Sequence, residues 1–141
     1  MIILDTNVIS GLMDVGRDPH LVPWLNQIGA ETVWITAIGV FEIKGGIDSL
    51  VDSRRKSALL VAFDTFLNRG FRDRVLPFDH HSAIAAAQIG AERDRRGRRA
   101  GANDTMIAGI AVSRGVPIAT RNVPHFADLP VDVINPWEAP G

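Results

Sequence analysis

The apolar run Ile2-Ile3-Leu4 stops abruptly in Asp5-Thr6-Asn7. A short continuous apolar run of this kind reads as a strand buried on both faces, which is the signature of a parallel sheet covered by helices. Asp5 then stands at the carboxyl end of the strand, the edge where open α/β sheets bind ligands. From position alone, its carboxylate is either a cap for the next helix or part of a site.

The rest of the chain keeps the alternation of strand and helix. A short helix is expected over 7–13, a loop over 14–19, and a second helix over 19–28 with Gly29 as its stop. Thr-Val-Trp-Ile-Thr, residues 32–36, is β-branched and aromatic and reads as a strand. A helix follows over 37–47, with Glu42 in its first turns and Gly45-Gly46 weakening its end. Ser53 is placed to cap the next helix, which runs to Leu67. Its stretch from Ala58 to Leu67 is apolar on more than one face, so it is either buried on two sides or covered by a partner chain.

Residues 74–78 form a third strand, at an edge because of Pro77. Asp79 caps an alanine-rich helix that ends in the arginine cluster. After a loop over 98–102, a helix begins at Asn103 or Asp104 and closes at Gly115. Strands at 116–120 and 131–134 complete the chain. The order predicts one domain over residues 1–141, a three-layer α/β/α fold around a parallel sheet of about four to five strands.

Composition narrows the chemistry. The chain has no cysteine, which excludes disulfides and thiolate metal sites and fits a cytoplasmic protein. No apolar run is long enough to span a bilayer, and no basic segment precedes the first one, so neither membrane insertion nor a secretory signal is expected. Net charge is −1, which argues against a molecule that is basic overall. Basic charge is nevertheless concentrated at Arg93, Arg95, Arg96, Arg98 and Arg99. These arginines are either an RNA phosphate contact or a solvated helix end favoured by the dipole.

In the predicted topology Asp5, Glu42 and Asp104 converge on the carboxyl edge of the sheet, and Asn122 arrives there after the fourth strand. Thr6, Asn7 and Thr120 supply hydroxyl and amide groups beside them. Each has a bland reading as a cap, a turn residue or a solvated helix residue, and only their joint placement is informative. Clustered carboxylates repel one another, and a divalent cation removes the conflict. An all-oxygen donor set suits Mg²⁺ or Mn²⁺, which points to hydrolysis of a phosphodiester. His80 and His81 are adjacent and diverge on a helix, so they are not expected to bind metal together. His125 is not expected to bind metal either; its place suits contact with substrate or with the Asn122 turn.

These residues, in this order, resemble the PIN-domain nucleases, and within them the VapC-type toxins. The resemblance rests on Ile-Leu-Asp5-Thr6-Asn7-Val-Ile, Val-Phe-Glu42-Ile, Asn103-Asp104-Thr105-Met-Ile-Ala-Gly-Ile-Ala, Thr120-Arg121-Asn122 with His125-Phe126, and the closing Val-Ile-Asn-Pro-Trp. It spans essentially the whole chain. It implies a Mg²⁺-dependent endoribonuclease, the toxin of a toxin–antitoxin pair, that inhibits growth or translation. It also implies a cytoplasmic homodimer restrained by a cognate antitoxin. Asp5, Glu42 and Asp104 match the family's acidic positions and would hold the metal. The family's fourth acidic position falls at Asn122, a neutral amide, which favours one firmly held ion with any second ion arriving with substrate. Thr120 would orient the ligands through hydrogen bonds.

Two other classes remain compatible with the residues. An aspartyl phosphotransferase or phosphatase would use Asp5 as nucleophile, but it usually wants a second acid where this chain has Asn7. A non-catalytic module would use the acids only to bind an ion or a partner. DNA is the alternative substrate.

Overall fold

The computed structural model describes residues 1–14, 18–98 and 100–138. Strands β1 (Ile2–Leu4), β2 (Val33–Thr36), β3 (Val75–Leu76), β4 (Ile118–Ala119) and β5 (Val133–Ile134) form one parallel sheet in the order β3-β2-β1-β4-β5. Helices α1 (Thr6–Met13), α2 (Leu21–Ile28), α3 (Ala37–Asp48), α4 (Arg54–Phe66), α5 (His80–Arg95) and α6 (Ala102–Arg114) cover it. The expected three-layer parallel architecture is therefore present, with β3 at an edge.

Alternation along the central strands supplies both faces. Leu4, Val33 and Ile35 pack into one core with Val8, Ile9, Ile43 and Phe63 from α1, α3 and α4. Ile3 and Ile118 enter a second core with Ile107, Ile110 and Phe126. At about 25 cal/mol per Å² of apolar surface removed from water, these two cores supply the main drive to fold.

Local signals set most element ends. Ser53 accepts from the Lys56 N–H (3.1 Å) and Asp79 from the Ser82 N–H (2.9 Å), capping α4 and α5 as expected. Gly115 ends α6 in the left-handed conformation, with φ 65°. Pro23 lies inside the first turn of α2, where its missing N–H has no helical partner to lose. Several boundaries differ from expectation. The cap of α6 is Gly101 rather than Asn103 or Asp104, so Asp104 sits within the first turn. Helix α3 runs through Gly45-Gly46 as expected and ends at Asp48, one residue later, with packing of Ile43 and Ile47 outweighing the glycine cost. Beyond α4 the chain continues as a π-helical turn, Leu67–Phe71, in which Phe71 is buried and stacks on Phe66 at 4.6 Å.

The apolar surface of α4 is shared between two environments. Phe63 is buried, and Leu59, Leu60, Phe66 and Leu67 pack partly against the first core. Val61 remains 65% exposed. Against α6, α5 presents small residues: a Cβ built on Gly109 would lie 2.5 Å from the Ser82 carbonyl oxygen and 2.7 Å from Ala86 Cβ. This close crossing fixes α6, and with it Asp104, relative to the sheet. Among the described residues no helix is long and apolar enough to cross a membrane.

The site is positioned by topology. From β1 the chain moves outward through β2 to β3, then returns through α5 and α6 to β4 on the other side of β1. The connections after β1 and β4 thus diverge, opening a crevice at their carboxyl ends. Register places Leu4 opposite Ala119, so Asp5 and Thr120 are the next residues on neighbouring strands.

Candidate active site

Asp5 is the centre of this edge. It is only 4% exposed, and its main-chain N–H donates to the Ala119 carbonyl (2.9 Å), extending the β1–β4 ladder by one bond. Its Oδ1 accepts from the Thr6 N–H at 2.8 Å, so it caps α1. Its Oδ2 accepts from the Thr120 hydroxyl at 2.8 Å and the Asn7 amide at 3.2 Å. The cap and site readings of Asp5 are therefore not exclusive: one oxygen caps, and both are held in place.

The same hydrogen-bond system reaches the neighbouring groups. Thr6 Oγ1 donates to Glu42 Oε1 at 2.7 Å, tying α1 to α3 across 36 positions of sequence. The Asn7 amide also donates to Thr120 Oγ1 (3.3 Å), and its carbonyl accepts from the Arg121 N–H (3.1 Å). The Asn122 N–H donates to Thr120 Oγ1 at 3.0 Å. Among the described residues the exposed Asn122 side chain makes no hydrogen bond. In the first turn of α6, Asp104 Oδ2 lies 3.0 Å from His125 Nδ1, a donor–acceptor pair when that nitrogen carries the proton. Apart from its place just after the Asn122 turn, nothing in the sequence pairs His125 with Asp104.

Electrostatics mark Asp5 as the residue under strain. Burial pushes its carboxyl above the ordinary range. Hydrogen bonds from Thr120 and Thr6 pull it down, and repulsion from Asp104 and Glu42 adds to the rise. The helices α1, α3 and α6 all begin at this edge and turn the positive ends of their dipoles toward it.

The donor set fits a hard divalent cation. The acids are oxygen donors that destabilise one another, and a cation reverses the sign of that interaction. Among the described residues no three histidine, aspartate or glutamate side chains approach closely enough to cage an ion unaided.

The arginine cluster is divided by the fold. Arg93 is only 2% exposed and fully paired within the protein, so it is not available to RNA. This corrects its reading as a phosphate contact: its helical phase turns it toward Asp128, not toward solvent. Arg95 and Arg96 are exposed and both pair with Glu92, at 2.6 and 3.0 Å. Arg98 lies 3.5 Å from Asp128. Arg99 lies outside the described residues. His80 and His81 are exposed at the start of α5, away from the acids.

Beside the acids a groove of about 660 Å³ opens between α1, α3 and α4. Thr6, Ser10 and Glu42 line its end at the site, and Ile43, Ala58 and Leu59 form apolar walls.

A doubly covered parallel sheet with acids gathered at its switch point defines the class, and residues 2–130 match the PIN domain model. The chain belongs to the PIN-domain family, whose ribonucleases are in general metal-dependent. It is 33% identical over 138 residues to VapC ribonuclease Y4jK of Sinorhizobium fredii, covering 98% of this chain and 99% of that protein. Toxin FitB of Neisseria gonorrhoeae is 34% identical over 137 residues, covering 97% and 99%. The crystal structure of FitAcB from Neisseria gonorrhoeae superposes with a TM-score of 0.86 at 34% identity, covering 99% of this chain and 100% of that one.

Proposed function

We propose that this protein is a Mg²⁺-dependent endoribonuclease, the toxin of a toxin–antitoxin pair, acting in the cytoplasm as one nuclease domain. The observation that carries the reading is the buried Asp5 carboxyl at the sheet's switch point, held by Thr6, Asn7 and Thr120, with Glu42 tied to the same corner through Thr6. Likeness to a VapC ribonuclease and to a toxin over nearly the full chain supports the substrate and the biological role.

Asp5, Glu42 and Asp104 are the residues that would hold the ion. Bound among them, Mg²⁺ (or Mn²⁺) supplies the positive charge and Lewis acidity that phosphodiester hydrolysis needs. Thr120 and Asn7 aim one oxygen of Asp5, and Thr6 aims one of Glu42. Asn122 faces the same edge without adding negative charge, which favours one firmly held ion. Arg95, Arg96 and Arg98 remain the chain's candidates for RNA phosphate contacts, with Arg99 beside them in sequence.

A cognate antitoxin is the proposed protein partner. The groove that runs into Thr6 and Glu42 is its proposed seat, because an occupant there would cover Glu42 at the edge of the site. A homodimer is proposed through exposed apolar side chains such as Phe41 and Val61, 66% and 65% exposed. Sedimentation at micromolar concentration, with Val61→Glu and Phe41→Glu alongside, tests the dimer.

The test of the activity is cleavage of RNA by purified protein with Mg²⁺, with and without EDTA, beside Asp5→Asn. Cleavage lost in both EDTA and the variant supports the reading. Equal cleavage by wild type and variant would assign the activity to a contaminant. Cleavage of DNA in preference to RNA would change the substrate.

A further inference from the structure

The arginine that does not face solvent has a place in the site. Arg93 comes from the last turn of α5, yet its guanidinium reaches three residues on two other segments, α6 and the turn at residues 123–128. Its Nε and Nη2 donate in parallel to the two carboxylate oxygens of Asp128, each at 3.0 Å. Nη2 also donates to the His125 carbonyl at 2.7 Å, and Nη1 donates to Thr105 Oγ1 at 3.2 Å. Thr105 directly follows Asp104 in α6, and the His125 ring is the partner of Asp104 Oδ2. One buried cation therefore holds both the side chain of the residue beside Asp104 and the turn that carries its hydrogen-bond partner.

We propose that Arg93 is a positioning residue for the nuclease reaction, clamping Asp104 at the sheet edge through Thr105 and through the His125 turn. The inference rests on the reading of Asp104 as a metal-holding acid. A fully buried guanidinium is an expensive way to gain stability alone, because a hydrophobic pair of similar volume often does as well or better. A planar fork with fixed donor directions instead suits the joining of several segments at set distances. Outer partners of metal ligands typically change metal affinity or activity by about 10–100-fold when lost.

The decisive variant is Arg93→Met with Asp128→Leu, which replaces the ion pair by apolar side chains. Mn²⁺ binding is measured by titration calorimetry, folding by thermal denaturation, and the His125 ring by its ¹⁵N chemical shifts. RNA cleavage is resolved into kcat and KM. The expected result is a folded protein with altered His125 ring shifts, Mn²⁺ bound about tenfold or more weakly, lower kcat, and KM for RNA within about twofold. A folded double variant with wild-type Mn²⁺ affinity, ring shifts and kcat overturns the proposal. Should the double variant fail to fold, Thr105→Val cuts only the arm to α6, and wild-type Mn²⁺ affinity and kcat in that variant overturn the clamp equally. Asp104→Asn serves as the reference. If it too leaves Mn²⁺ binding and cleavage unchanged, the reading of Asp104 has failed. If it weakens both while the Arg93 variants do not, only the clamp has failed.

Discussion

The Thr120 hydroxyl donates to Asp5 Oδ2 at 2.8 Å across two neighbouring parallel strands, with both residues buried. This bond is the strongest influence that lowers the raised Asp5 carboxyl. Thr120→Val keeps the shape and removes the donor, leaving Oδ2 with the Asn7 amide alone at 3.2 Å. The carboxyl then rises further. Cleavage at neutral pH is expected to fall about 10–100-fold, with a stability loss of about 1–3 kcal/mol. Activity assays and urea denaturation of the same variant check both.

Asp5→Asn should abolish cleavage and yet stabilise the metal-free protein. A carboxyl raised on folding contributes stability that is complete below its unfolded value and is lost as pH rises through the folded value. Above its unfolded value the raised carboxyl therefore works against the fold, and an amide, which carries no charge at any pH, relieves it. The Thr120 hydroxyl already accepts from Asn7 and Asn122, so the amide oxygen can serve either Thr6 or Thr120 but not both, and the gain is the part of the charge penalty that this lost bond does not cancel. Thermal melts without divalent ions should show Asp5→Asn above wild type at pH 7, with the gap closing toward acid pH. A lower melting point for the variant at pH 7 would contradict this.

Mg²⁺ or Mn²⁺ should raise the melting temperature of the wild-type protein and not that of Asp5→Asn. A ligand at 100 times its Kd stabilises by about 2.7 kcal/mol. Because Asp5 holds its proton above the usual carboxylate range, the ion competes with that proton, and its effect should weaken as pH falls. EDTA should return the melt to the metal-free value.

Asp128 behaves in the opposite sense. Hydrogen bonds from Arg93 hold its carboxyl below the usual range. A depressed carboxyl contributes stability that is present above its unfolded value and lost as pH falls through the folded one. Asp128→Asn leaves the buried Arg93 charge uncompensated and should cost about 3–5 kcal/mol at pH 7. The difference from wild type should shrink only as pH falls below the ordinary carboxylate range, where Asp128 itself becomes protonated; acid titrations followed by circular dichroism measure it.

Gly109→Ala should lower stability by about 1–3 kcal/mol, because the new methyl meets the Ser82 carbonyl and Ala86. In a chain of this size the melting point should drop roughly 2–4 °C for each kcal/mol. The α5–α6 crossing carries both Arg93 and Asp104, so a shift there should also reduce cleavage at temperatures where the protein remains folded.

What could be read from the sequence was local or periodic. Ser53, Asp79 and Gly115 act on backbone within a few residues of themselves, so the sequence alone marks them. Strand ends were expected too far out: residues 116–120 read as a strand, whereas the ladder proper is Ile118–Ala119. Flanking β-branched residues carry strand propensity whether or not a neighbour pairs with them. Within the arginine cluster, composition cannot separate Arg93 from Arg95. Their difference depends on Asp128, 35 positions away, and on which side of α5 meets the turn at residues 123–128.

The sequence by itself determined the parallel α/β architecture and the edge at which its acids stand. Both follow from short-range patterning: an apolar strand ending in Asp5, and helices whose first turns contain Glu42 and Asp104. Only the tertiary structure decided how those acids are held. Thr120 reaches Asp5 because β4 returns beside β1, Thr6 reaches Glu42 across α1 and α3, and His125 reaches Asp104 under the hand of Arg93. Each of these bonds joins groups far apart in the chain, and their geometry exists only once the sheet and its helices have packed.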